Sequence, residues 1–173
     1  MSPVRLMSRR RVPVVLPAAA LLLAAGGCAS DDAGPLEAPA NSSGSWCIPD
    51  FAAGSDLSHG SEVLSNASSE PLTITEVRLV DDEGFEIVDS YQRSADNGAA
   101  GVLPQWPPAG AGSLRALTTI APDTRFNLVL HLRSTGTAQR RASFSAVEID
   151  YEQDGRRFTE TTTYAVVWKA RCR

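Results

Sequence analysis

From about Ser61 to Lys169 the chain consists of short runs of β-branched and aromatic residues divided by turn signals, with no sustained 3.6-residue periodicity. This is an all-β pattern. Strands are predicted over 62–65, 72–80, 85–91, 114–120, 125–134, 142–152 and 156–169. Seven strands of this length suit an all-β, antiparallel β-sandwich.

The clearest alternation lies in 125–133, where Phe126, Leu128, Leu130 and Leu132 fall on one face and mostly polar residues on the other, predicting one buried face. Ala121-Pro122-Asp123-Thr124 before it is a turn signal. Asp154-Gly155 fits a two-residue type I′ turn, which needs positive φ at both positions. That turn sets Tyr151 opposite Phe158 and Glu152 opposite Arg157. Phe144 and the run Ala165-Val166-Val167-Trp168 break the alternation, so a bulge or a strand buried on both faces is expected there. Asp81-Asp82-Glu83-Gly84 lacks calcium-loop spacing and reads as a tight turn between strands.

Residues 1–27 have the order of a lipoprotein signal peptide. A basic region with Arg9, Arg10 and Arg11 precedes an apolar run over 12–25, and small residues precede Cys28. The apolar run is interrupted by Pro13 and Pro17 and falls short of the roughly 20 residues a spanning helix needs. Ala25-Gly26-Gly27 resembles the recognition box of the lipoprotein peptidase, with Ala25 where leucine is usual. Cleavage before Cys28 and acylation of its thiol are therefore expected, placing the mature chain on the extracytoplasmic face of the cell membrane. Ser8-Arg9-Arg10 is also a fragment of a twin-arginine signal, whose remainder Pro13 breaks. Residues 28–45 are mostly small and polar, with Leu36 the one bulky apolar side chain, and read as a lipidated, disordered tether ahead of a domain over 46–173.

With Cys28 acylated, Cys47 and Cys172 remain as an even pair near the two ends of that domain. Outside the cytoplasm such a pair oxidises, and neither a CxxC spacing nor a histidine cluster argues for a metal instead. A disulfide between them is expected.

Removing the four arginines of the leader leaves 12 basic against 20 acidic side chains, a net charge of −8. No basic stripe with interleaved aromatics offsets that repulsion, so nucleic acid is not expected as a partner. The mature chain has only His59 and His131, and both methionines, Met1 and Met7, lie in the leader. Copper and zinc sites built from such ligands are therefore not expected, nor is any cofactor. GxSxG, HExxH and P-loop patterns are missing, and Ser58 beside His59 reads as two neighbours in a Ser/Gly-rich loop, so an enzyme is not expected.

The connection over 93–113 stands out, since loops of this length in compact domains are often functional. It carries Gln105-Trp106-Pro107-Pro108, and Trp106 with Gln105 is the candidate binding element, either offering a flat aromatic surface or capping the open end of the sandwich. The leader, tether, turn-divided strands and paired terminal cysteines together resemble the uncharacterised immunoglobulin-like lipoproteins of high-GC Gram-positive bacteria. The near-absence of lysine, with Lys169 alone, fits a GC-rich genome. The expected function is a non-enzymatic binding or scaffolding module contacting the bilayer through its acylated cysteine and an envelope protein or glycan through its loops. The alternative is a carrier of a small apolar or glycan ligand, with an enzyme third.

Overall fold

In the computed structural model the described residues are 33–39, 43–50, 52–99, 101–135 and 141–172. The signal peptide and Cys28 lie outside them. Among the described residues thirteen strands run in chain order: β1 (Leu36–Glu37), β2 (Ser43–Ile48), β3 (Asp56–Asn66), β4 (Leu72–Val80), β5 (Phe85–Ser94), β6 (Gly101–Leu103), β7 (Arg115–Ala116), β8 (Thr119–Ile120), β9 (Thr124–Ser134), β10 (Arg141–Phe144), β11 (Ala146–Gln153), β12 (Arg156–Thr161) and β13 (Thr163–Lys169). One sheet has the order β1-β3-β9-β5-β7, with β6 also on β3. The others are β12-β11-β4-β8 and β10-β13-β2. Together they make an all-β sandwich.

The last two sheets are joined through one long hairpin. Its Asp154-Gly155 turn has φ of 50° and 72°, and the register pairs Tyr151 with Phe158 and Glu152 with Arg157, as the turn type requires. Further along, the partner of Phe144 is Val166, one position out of step with the turn-proximal register, so the second arm holds one extra residue there. This is the expected bulge; beyond it Val166 and Trp168 point inward while Val167 is half-buried, so the strand is not buried on both faces.

The core forms where the inner faces meet. Leu57, Leu64, Phe126, Leu128, Leu130 and Leu132 come from β3 and β9, and Leu72, Val147, Ile149 and Tyr151 from the opposing layer. At one end Phe85 meets Phe144 edge-to-face with centroids 5.8 Å apart and stacks on Trp168 at 6.4 Å.

Three expectations are corrected. The segment read as a free tether up to residue 45 is ordered in its described part, and the packed unit begins at Ala33 rather than 46. Leu36 is buried in the core, its N–H donating to Tyr151 Oη at 3.1 Å, while the Ala67 N–H donates to Pro35 O at 2.9 Å. Gly34 is required for this docking, because a Cβ there would lie 1.9 Å from Tyr151 Oη. Secondly, the sandwich is not wholly antiparallel: β2 pairs with β13 in parallel, placing Cys47 beside Val167. The Cys47–Cys172 disulfide fastens this edge strand across 125 positions of sequence. Thirdly, the strand predicted over 62–65 extends back to Asp56, so His59 is not in a loop.

Candidate functional site

The path from β5 to β7 constructs a surface feature on the first sheet. β9 occupies one edge of β3, so β1 and β6 share the other. The chain leaves β5, reaches that far edge as β6, and returns to pair as β7 with β5. Its two legs therefore cross the outer face of the sheet as a strap. One turn of 3-10 helix, Ala95–Asn97, starts the first leg, and a second, Ala111–Ser113, ends the return leg.

The strap explains why β9 is buried on both faces rather than one. Asn127, Val129 and His131 alternate with the core leucines and point outward, yet they are 0%, 0% and 8% exposed. Pro108 in the returning leg is buried. Trp106, in cis linkage to Pro107, lies half-buried with its ring 4.2 Å from His131 at an interplanar angle of 5°, and 5.4 Å from Tyr91. It covers the sheet face instead of capping the end of the sandwich. Gln105 beside it is exposed, and its N–H donates to Leu103 O at 2.8 Å.

A carboxylate lies beside each of the two rings stacked with Trp106. Asp56 Oδ1 accepts a hydrogen bond from Arg133 Nε at 3.1 Å and lies 3.1 Å from His131 Nε2, off the direction of the ring N–H. Tyr91 Oη donates to Asp89 Oδ2 at 2.8 Å, which pushes the phenol pKa up. A half-buried tryptophan stacked with two rings of the sheet is suited to contact an apolar face of a sugar or a protein side chain through its open surface.

Elsewhere the sequence-singled residues separate. Ser58 and His59 are neighbours in β3, so their side chains face opposite sides, with Ser58 across from His131 and His59 in the core, edge-on to Phe144 at 5.4 Å. A serine and a base held this way do not form a nucleophile pair. His59 Nε2 lies 3.6 Å from Glu62 Oε1, both side chains essentially without solvent contact. Asp81 and Gly84 take φ of 51° and 85° in the β4–β5 turn, with Asp82 Oδ1 accepting from the Phe85 N–H at 3.0 Å. Burial raises the pKa of Asp82. Among the described residues no group of three or more His, Cys, Asp or Glu side chains is arranged to hold a metal, and no helix is long and apolar enough to cross a membrane.

Sequence reasoning marked Trp106 but missed Tyr91, His131 and Asp56 as its support. The alternation of β9 placed His131 outward; the strap crossing above it had no local signal. No protein-family model matches the chain, and no curated protein matches it.

Proposed function

We propose that this chain is a membrane-anchored extracytoplasmic lipoprotein, tethered by acylation of Cys28, whose immunoglobulin-like sandwich is a non-enzymatic binding module of the cell envelope. Its contact surface is the Trp106 strap, and the partner is an envelope protein or glycan. The supporting observation is the stack of Trp106 on His131 and Tyr91, with Trp106 still partly open to solvent. Ordering a loop residue before binding removes an entropic cost of association. The order of leader, apolar run and Cys28 supports the address.

The test places a photo-crosslinking residue at exposed Gln105 in cells and compares native protein with Trp106→Ala. A discrete adduct that weakens about tenfold in the variant is expected, the scale of a central aromatic contact. Equal adducts in both, or none, would remove the strap from the interaction.

A further inference from the structure

At the foot of the strap a cavity of about 390 Å³ opens between the 3-10 turns and the ends of β5 and β9. Its lining includes Arg93, Arg115, Arg125, Asn97 and the aromatic Phe126, and no carboxylate. Trp106 does not line it either. The concentration of charge is notable in this chain: three of the 12 basic side chains after the leader meet in one concavity of a segment whose net charge is −8.

The guanidinium groups are not neutralised locally. Arg93 is 8% exposed; its Nη2 donates to Gly98 O at 2.6 Å, while Nε is buried without a partner. Arg115 and Arg125 are exposed and form no ion pair among the described residues. The nearest acid on the strap, Asp96, is outside the lining and accepts from Ser94 Oγ at 3.1 Å. Several neutral donors are already engaged: Gln92 Nε2 with Ala116 O and Ser113 Oγ with Gly110 O. An anion in the cavity would give the exposed, unpaired Arg115 and Arg125 guanidinium groups acceptors of opposite charge.

We propose that this cavity is a binding site for a small soluble molecule carrying a phosphate group. Three guanidinium forks present more N–H donors than one carboxylate can accept, whereas a phosphate offers more acceptor oxygens and greater charge. The size admits a phosphate with a few further heavy atoms. The site is separate from the Trp106 surface and does not depend on anchoring.

The test is titration of the full-length mature protein, in detergent, with inorganic phosphate and with glycerol phosphate at constant ionic strength. Binding is followed by calorimetry and by the side-chain Nε–H resonances of the arginines. Saturable binding with a shift of the Arg93 resonance is expected. Because Arg93 is buried, the variant used is Arg115→Gln with Arg125→Gln, at exposed positions. It should keep the melting temperature measured without phosphate and lose at least tenfold in affinity. No saturable binding, or affinity unchanged in the double variant, would overturn the proposal. So would binding to phosphatidylglycerol vesicles alone with none to the free phosphates, which would make the cavity a lipid-surface contact.

Discussion

Glu62 is 1% exposed with both carboxylate oxygens lacking a hydrogen-bond partner among the described residues, and His59 Nε2 lies 3.6 Å from its Oε1. Such a pair has lost its hydration without gaining good geometry in return. Replacing both together, His59→Leu with Glu62→Leu, is expected to stabilise the fold by about 1–4 kcal/mol, the range seen for buried pairs exchanged for apolar residues. Chemical denaturation measures this, and a loss of stability would mean the pair is better satisfied than its geometry indicates. The sequence concealed this feature for a physical reason. Ser58-His59-Gly60-Ser61 has the composition of a loop, but β9 and β6 cover both edges of β3, and the register slips by one residue between His59 and Glu62. A bulge lets polar and glycine residues remain in a strand.

Asp150 is the reverse case. The Arg78 guanidinium, and then Thr159 Oγ1 at 2.7 Å, hold its carboxyl below the usual aspartate range, and Arg78 also contacts Glu148 and Glu76. A carboxyl whose pKa is depressed on folding contributes stability above its unfolded value, and that contribution disappears as pH falls through the folded value. Asp150→Asn should therefore flatten the fall in melting temperature on acidification below the ordinary carboxylate range. An acid limb as steep in the variant as in the parent would show that this network does not govern it.

At the scale of elements, the local turns and the strands beside them were legible. β4 spans Leu72–Val80 as its run of strand-forming residues between turn signals predicts, and the Asp154-Gly155 hairpin has the expected register, because both depend on neighbours in sequence. The elements missed depend on distant partners. β1 has one bulky apolar residue, and its fit relies on Tyr151 lying 115 positions away. Among the described residues β2 gains its ladder from β13 alone, in a parallel pairing that no adjacent turn could announce. Two consequences can be measured. Leu36→Ala should cost about 2–4 kcal/mol, as for other buried leucines, and expose 33–39 to protease. Cys47→Ser with Cys172→Ser should remove up to about 5 kcal/mol on the chain-entropy estimate for so long a loop, with the loss of amide-exchange protection greatest in β2. Protection in β2 unchanged from the disulfide-bonded protein would show that its ladder holds without the bridge.

On the scale of the whole molecule, the docked amino-terminal segment changes what anchoring would mean. With Leu36 in the core and Gly34 against Tyr151, six peptide units separate Cys28 from Gly34, a reach of at most about 20 Å when fully extended. The tether read over 28–45 thus shortens to the span before Gly34, so an acylated chain would hold its domain close to the headgroups. The strap and the arginine-lined cavity are the two surface features this arrangement would present to other envelope components. Acylation of Cys28 is the premise on which that picture depends, and intact-mass and peptide spectrometry of the protein from native membranes tests it directly. The account predicts a chain beginning at Cys28 with a diacylglyceryl group on its sulfur and an oxidised Cys47–Cys172 pair; an unmodified Cys28 thiol would contradict it.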